Sequence, residues 1–263
     1  HMVVCVRQPN DEILTKTEEI KSLSERYRVL RLPLLRGIIA LFETLYLGIK
    51  GIYFSANATL EEEKLSPKEI GLAIVVALAL SIFLFSIIPF VLTSLLNLRG
   101  VVFNIVEAVI RLAVLLLYLA SMSLVGEFRR VFQYHGAEHT AINAYEAGVE
   151  LNVANVKKHS RLHPRCGTSF ILIVTLISIL FFSIMPNLEY LMRLAYRILL
   201  IPVIGGVSYE VLKLSDRYKN SRIMKILVAP GLGLQYLTTR EPEEKMIEVA
   251  LKAVEEVHRL QKS

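Results

Sequence analysis

The sequence contains little cysteine, with Cys5 and Cys166 as its two thiols. They lie far apart in the chain, and Cys166 follows a histidine-containing motif, so a disulfide framework is excluded and reduced, cytosol-facing thiols are expected. Basic runs interleaved with aromatic residues are also lacking, which argues against nucleic acid as a partner. The formal net charge of +6 instead indicates basic loops that orient a membrane protein, so membrane lipid is the expected partner.

Charge is absent from one long apolar stretch. No charged residue occurs between Ile70 and Leu98, and a helix of this length is sufficient to cross a bilayer. The whole chain is 54% hydrophobic with a mean hydropathy of +0.49, and its apolar residues occur in blocks. These features predict an all-α polytopic membrane protein and argue against a large soluble domain.

The apolar blocks and the polar segments between them divide the chain into six units. We predict about four transmembrane helices, a small cytosolic N-terminal β-hairpin and a C-terminal amphipathic helix. Breaks are expected in the fourth apolar segment, at Pro202 and Gly205-Gly206, and in the C-terminal region at 229–233. The predicted units are a hairpin and helix region at 3–32, an ambiguous apolar segment at 33–55, a transmembrane pair at 70–125, a polar loop at 126–167, a second transmembrane pair at 168–214 and a C-terminal region at 215–263.

The segment 33–55 allows two interpretations. Arg36, Glu43 and Lys50 are spaced by seven residues, which places all three charges on one face of a helix. The segment is therefore either an amphipathic helix in the plane of the membrane or a tilted transmembrane helix with a polar stripe facing protein. We favour the in-plane helix, because three charges facing lipid would be costly.

The distribution of basic residues predicts the topology. Lysine and arginine are concentrated in the N-terminal region, in the segment 126–167 and in the C-terminal region, whereas the turns near Arg99 and Glu189 hold few. Cytosolic segments of membrane proteins are enriched in basic residues. We therefore expect a multi-pass protein of the cell membrane with both termini and the segment 126–167 in the cytosol.

A motif of metal-ligand type lies in that segment. His135 and His139 are four residues apart, so both imidazoles project from one face of a helix, as two ligands of a tetrahedral zinc ion would. Glu138, between them, is placed to accept a proton from water as a general base, as in the inverted H-x-x-E-H zinc-enzyme motif. Glu146 lies two turns further along the same face and is expected to be an additional ligand or a neighbour of the ligands.

Two further ligand candidates follow in the chain. His163 and Cys166 also have ligand spacing, and Cys166 precedes a predicted helix whose N-terminus would lower the thiol pKa. Four ligands, His135, His139, His163 and Cys166, would make a closed structural site, whereas three ligands would leave an open position for catalysis. The sequence leaves both alternatives open.

A pair of charges lies inside the second apolar span. Glu107 and Arg111 are one helical turn apart and are predicted to form an ion pair facing the bundle interior. The alternative is a polar path through the membrane, to which Arg193, Arg197 and Glu210 of the fourth span would contribute.

Three segments together resemble one known family: Tyr134-His135-Gly136-Ala137-Glu138-His139, His163-Pro164-Arg165-Cys166-Gly167-Thr168-Ser169-Phe170, and Leu237-Thr238-Thr239-Arg240-Glu241-Pro242. The chain is similar to the YqhQ family of bacterial inner-membrane proteins, whose function is unknown and which is described as a predicted metal-dependent enzyme. The resemblance covers nearly the whole chain. Within these motifs Tyr134 and Arg165 are expected beside the ligands, or as alternative ligands.

The sequence thus predicts a membrane protein that binds zinc or a similar divalent metal at the cytosolic interface. A hydrolase acting on a peptide, lipid or phosphoester bond is the favoured function. A transporter or channel and a scaffold with a structural metal are the alternatives. The substrate is not indicated by the sequence, and the formation of a homo-oligomer is left open.

Overall fold

The computed structural model describes residues 1–59, 66–184, 189–218 and 221–262. The chain begins with the predicted hairpin, in which β1 (Met2–Arg7) pairs antiparallel with β2 (Ile13–Glu18) and Cys5 lies opposite Thr15. The turn between the strands contains the Pro9-Asn10-Asp11 sequence, and Asp11 adopts a positive φ of 69°. A two-stranded hairpin is marginal by itself, and this one packs against the two helices Leu35–Thr59 and Glu244–Lys262.

The remaining described chain is mostly helical. In chain order the helices are α1 (Leu23–Arg26), α2 (Leu35–Thr59), α3 (Pro67–Ile82), α4 (Ile88–Ser94), α5 (Gly100–Leu124), α6 (Gly126–Glu146), α7 (Val153–Val156), α8 (Gly167–Ser183), α9 (Tyr190–Arg217), α10 (Arg222–Thr238) and α11 (Glu244–Lys262). Helices α4, α5, α8 and α9 form an apolar bundle, with α2 packed on α9 and α10 on α8.

Within the described residues, four helical segments are long and apolar enough to cross a membrane: Leu35–Thr59, Lys68–Ser94, Gly100–Leu124 and Leu191–Ser215. The number of these segments agrees with the predicted number of transmembrane helices, but one of the four segments is not the one predicted. Segment Leu35–Thr59 is included, whereas α8, predicted as the third span, is a shorter apolar helix. A helix of its 17 residues is about 25 Å long, which is at the short end of the range for transmembrane helices.

The three charges of α2 face protein. Arg36 pairs with Glu210 on α9, Lys50 pairs with Glu18 at 2.5 Å, and Glu43 accepts hydrogen bonds from the Ser22 hydroxyl and the Leu23 N–H. The predicted common face is therefore present. Because each charge has a protein partner, the cost of exposing charge to lipid does not distinguish the two orientations of α2.

The first long apolar segment contains a π-helical turn ahead of Pro89. Helix α3 passes into α4 through a π-helical turn at Phe83–Ile87. Proline has no backbone N–H, and its ring would clash with the carbonyl group four residues earlier in a regular α-helix. The wider turn accommodates this residue, as expected where an α-helix carries an internal proline.

The two predicted breaks are wrong. Helix α9 continues through Pro202 and both following glycines, and α10 continues through Pro230. In α9 the glycines permit close helix packing: a Cβ atom on Gly206 would lie 2.9 Å from the carbonyl oxygen of Leu34. Tertiary contacts with α2, absent from the local pattern, therefore explain why glycine occurs here.

The segment 126–167, predicted as a polar loop, contains the 21-residue helix α6. Helix α11 lies across α6 and β1, and its predicted apolar face contributes to the core there. Small residues on α6 allow the two helices to approach. The fully buried side chains of this core are Ala137, Ala141, Ala144, Val156 and Ile247.

Candidate metal centre

The two motif histidines lie side by side on α6, with ring centroids 4.4 Å apart. Gly136 directly follows His135 on α6. A Cβ atom at this position would overlap the carbonyl oxygen of Arg240. The Arg240 N–H also donates a 2.9 Å hydrogen bond to the carbonyl of Phe132. Glycine in this motif therefore lets the chain after α10 lie directly against α6.

Backbone carbonyls orient both imidazoles. Nδ1 of His135 lies 2.8 Å from the carbonyl oxygen of Thr238, and Nδ1 of His139 lies 2.6 Å from that of Arg161. A carbonyl only accepts hydrogen bonds, so each Nδ1 carries a proton, and each Nε2 is the nitrogen that can bind a metal once it is deprotonated. This is the usual arrangement of metal-binding histidines, whose second nitrogen donates to a carbonyl or carboxylate.

Cys166 completes the cluster from the N-cap position of α8. Its Sγ lies 3.2 Å from Nε2 of His135 and accepts from the N–H of Thr168. Burial raises the pKa of this thiol, but hydrogen bonds from His135, His139 and Thr168 outweigh burial and lower the pKa to about 5. The group is therefore a thiolate at neutral pH, the form in which cysteine binds metals.

Three potential ligands come together here. Within the described residues, one donor atom each of His135, His139 and Cys166 lies within 4.8 Å of the others. Two imidazole nitrogens and one thiolate suit zinc, and a tetrahedral ion held by three protein ligands keeps a fourth position open. The residues therefore fit a divalent metal of this type.

His163, the fourth predicted ligand, lies next to this cluster but is not among the three residues whose donor atoms lie within 4.8 Å of one another. Its ring centroid is 5.8 Å from that of His139, and its Nε2 is 3.5 Å from a carboxylate oxygen of Glu146. The buried Gln235 holds its backbone by accepting from the His163 N–H and donating to its carbonyl. The sequence does not point to Gln235, because a lone polar residue within an apolar helix carries no spacing signal. Thr238 belongs to one of the family motifs, but it contacts His135 through its backbone carbonyl, which no side-chain pattern predicts.

Glu138 is exposed and does not belong to the ligand cluster. It lines a cavity of about 610 Å³ together with both histidines of α6 and Cys166. Burial lowers the pKa of His135, but the hydrogen bond with Cys166 and the charges of Cys166 and Glu138 outweigh it and raise the pKa. Glu138 is thus an accessible carboxylate close to the cluster.

The same cavity contains the predicted neighbours Glu146 and Arg165, which form an ion pair with each other. Tyr134 lies instead on a second, more apolar cavity of about 720 Å³ between β1, α6 and α11. His135 and Glu138 line both cavities, so the two spaces meet at the cluster.

The charges on the apolar helices form two ion-paired groups, one centred on Glu107 and the other on Glu210. Glu107 pairs with Arg111 at 2.5 Å, as predicted, and also with Arg197, which was expected only in the polar path. Glu210 pairs with Arg36 on α2, and the Arg193 guanidinium lies over the Phe103 ring. The charged residues predicted for a polar path are present, but the break at Pro202 and Gly205-Gly206 that was expected to line it with them is not, because α9 is continuous.

These observations define a mostly helical protein with four helices suited to crossing a membrane and a histidine–cysteine cluster that could hold a metal ion. A family model described as "Protein of unknown function (DUF1385)" matches residues 32–260, and the chain belongs to this family. The chain is 37% identical over 256 residues to "Uncharacterized protein YqhQ" of Bacillus subtilis (strain 168), covering 89% of this chain and 79% of that protein. No solved structure matches the chain. The resemblance to the YqhQ family is therefore confirmed.

Proposed function

We propose that this protein is a divalent-metal-dependent hydrolase, with zinc as the favoured ion, that acts at the cytosolic surface of the cell membrane. One observation carries the proposal: the donor atoms of His135, His139 and Cys166 lie within 4.8 Å of one another, beside the exposed carboxylate of Glu138. A set of three ligands next to an accessible general base is typical of catalytic zinc sites.

A zinc ion bound here would act as a Lewis acid toward a carbonyl or phosphoryl oxygen and make water more acidic. His135, His139 and Cys166 would hold the ion. Glu138, on the cavity side of α6, would accept a proton from the attacking water and return it to the leaving group. Arg165, exposed on the wall of the same cavity, would stabilise negative charge that develops on the substrate.

The cavity favours catalysis over a purely structural metal. A scaffold with a structural site would enclose its ion with four protein ligands. Here His163 is turned toward Glu146, and a space of about 610 Å³ adjoins the three potential ligands. This space is large enough for part of a substrate.

A thiol nucleophile is the second candidate function. Cys166 Sγ lies 3.2 Å from His135 Nε2, and the Thr238 carbonyl orients that imidazole from its other side. Nucleophile, base and orienting group in this order also occur in cysteine enzymes. The metal content of the purified protein separates the two candidates.

The polar chain from the end of β2 to the start of α1, residues 18–23, supports an in-plane position for α2. Glu18 contacts Lys50, and Ser22 and Leu23 contact Glu43, so non-helical backbone runs along at least two turns of α2. Such backbone is unstable in hydrocarbon because its N–H and C=O groups lack water. We therefore place α2, the hairpin and α6 together at the cytosolic interface.

The test is elemental analysis of the full chain purified in a neutral detergent and equilibrated with zinc. We expect one zinc ion per chain, lost in His135→Ala, His139→Ala and Cys166→Ala. Glu138→Gln should keep the metal, because this carboxylate is not a ligand. His159→Ala is the matched control, since His159 lies in the same region, outside the ligand cluster, and its ring bonds to the carbonyl of Asn155 at 3.0 Å.

Two results would overturn the proposal. Protein that retains no zinc after equilibration would exclude the metal enzyme and favour the thiol nucleophile. Equal metal loss in His159→Ala would indicate nonspecific binding to histidine.

A further inference from the structure

A second charged site lies inside the apolar bundle, away from the metal cluster. Its centre is Glu107 on α5, which is 1% exposed and pairs with both Arg111 and Arg197. Arg197, on α9, is 3% exposed and also donates to the side-chain oxygen of Asn104 at 2.9 Å. One carboxylate is thus shared between two buried guanidinium groups.

The charge of this group does not balance. Glu107 is the one acidic residue in the sequences of α5 and α8, and the nearest acidic residue of α9, Glu210, is paired with Arg36. Two arginines against one carboxylate leave a net charge of +1 among apolar helices. Uncompensated charge in such surroundings is costly and usually marks a functional site.

Both guanidiniums also have unused donors. Among the described residues, Nε of Arg111 and Nε of Arg197 are buried without a hydrogen-bond partner. A buried N–H group without an acceptor is destabilising. Both side chains line the same cavity, of about 320 Å³, between the π-helical turn and α5, α8 and α9.

Most of the remaining cavity wall is apolar, and its polar side chains besides the arginines are the hydroxyls of Ser86, Thr175 and Ser178. Leu115, Phe182 and Ile204 contribute to it, and the Phe182 ring lies 4.6 Å from the Arg197 guanidinium carbon. Ile171 and Ile201 also line the cavity and are 39% and 45% exposed on the outside of the bundle. The cavity therefore lies beside the apolar outer surface, from which a lipid chain can enter sideways.

We propose that this cavity binds a single-chain amphiphile with one negative charge, of the fatty-acid class. The carboxylate of the bound amphiphile would accept hydrogen bonds from the guanidiniums of Arg111 and Arg197 and neutralise the excess positive charge. The acyl chain would occupy the apolar part of the cavity and extend between Ile171 and Ile201. A volume of about 300 Å³ is at the lower end of the range for small-molecule sites.

The test is equilibrium binding of radiolabelled palmitate to the full chain in a neutral detergent at alkaline pH. We expect saturable binding with one site per chain, and Arg111→Gln should weaken it about tenfold or more because a charge-assisted hydrogen bond is lost. Arg111→Lys should retain most of the affinity, since the charge remains. Arg193→Gln is the matched control: it removes a cation from α9 one turn from Arg197, outside the cavity lining.

Competition experiments identify the chemical class. Unlabelled palmitate should displace the probe, whereas hexadecanol, which has the chain without the charge, and sodium chloride, which has the charge without the chain, should not. Equal competition by hexadecanol would reduce the site to an apolar cavity and overturn the proposal. Displacement of palmitate by chloride alone would indicate a small-anion site. A preference for phosphatidylglycerol over palmitate would indicate a phospholipid site. Either result would also overturn the proposal.

The proposal stays testable if Arg111→Gln does not fold, because the palmitate and hexadecanol comparison uses the unchanged protein. It does not depend on the proposed hydrolase. Loss of metal from His135→Ala should leave palmitate binding unchanged, and a parallel loss of both would contradict the separation of the two sites.

Discussion

Nε2 of His135 lies 3.2 Å from Sγ of Cys166, although 31 positions separate these residues in the chain. His135 lies on α6 and Cys166 is the N-cap residue of α8, so the contact links a polar helix to an apolar one. Because the carbonyl of Thr238, the last residue of α10, contacts the other side of the imidazole, three separate segments determine the geometry of one pair of potential ligands.

The two thiols should differ in their pH dependence. With zinc removed by a chelator, Cys166 should react with iodoacetamide at about pH 6.5, because its pKa of about 5 makes it a thiolate there. Burial raises the pKa of Cys5, so that thiol should react only in alkaline solution. The variants Cys5→Ser and Cys166→Ser isolate each rate. Similar pH profiles would contradict the assignment, and zinc should protect Cys166 alone.

Replacement of Gly136 by alanine should destabilise the protein. The added Cβ would overlap the Arg240 carbonyl, and overpacking of this kind costs about 1–3 kcal/mol. Thermal unfolding in detergent measures the change. Gly126→Ala is the matched control on the same helix, because a Cβ at Gly126 would have no neighbour within 4 Å. Equal unfolding temperatures for the two variants would show that the close approach is unimportant.

Gln235→Leu should weaken zinc binding without removing a ligand. Gln235 accepts from His163 N–H at 2.9 Å and donates to its carbonyl and to Ser169 at 2.8 and 3.1 Å. Loss of these bonds would loosen the segment that positions Cys166, with a decrease in affinity of about tenfold or more.

Competition with a chromogenic chelator measures this affinity. Gln133→Leu, at a half-buried glutamine whose side chain donates to the Glu241 carbonyl and does not contact the His163 segment in the described residues, should bind zinc normally. An unchanged affinity in Gln235→Leu would mean that the segment is held by other contacts.

Arg7→Ala should loosen the hairpin from α11. Arg7 donates to the Glu248 carboxylate at 2.5 Å and to the Lys245 carbonyl at 3.0 Å. The pair is partly exposed, so the expected loss is about 1 kcal/mol, visible as faster limited proteolysis after β2. Lys21→Ala, at a largely exposed pair with Glu19, should be digested at the wild-type rate. Identical rates in both variants would argue against this contact as the anchor.

The membrane orientation can be tested with single cysteines in a background lacking Cys5 and Cys166. Glu19→Cys and Lys262→Cys should react with an impermeant maleimide only in inside-out vesicles, because both are expected in the cytosol. Glu189→Cys should react only from outside, in cells whose cell membrane is sealed and whose outer layers are permeable to the reagent. Labelling of Glu19→Cys from outside would show that α2 crosses the membrane.

Most of the local structure follows from local patterns. The uncharged run after Ile70, the hairpin around Pro9-Asn10-Asp11 and the common face of His135 and His139 all depend on neighbours within two helical turns. Proline and glycine were less informative. Pro202 and Pro230 lie inside continuous helices, because contacts between helices outweigh the local preference for a break.

The sequence by itself determined the class of protein, the apolar helices and the residue types available for a metal site, since composition and periodicity are properties of short segments. Only the tertiary structure decided that Cys166 joins His135 and His139 while His163 turns toward Glu146. It also brought Arg197 to Glu107, 90 positions away. Contacts between distant segments depend on how helices pack, and helical spacing carries no information about which partner a side chain meets.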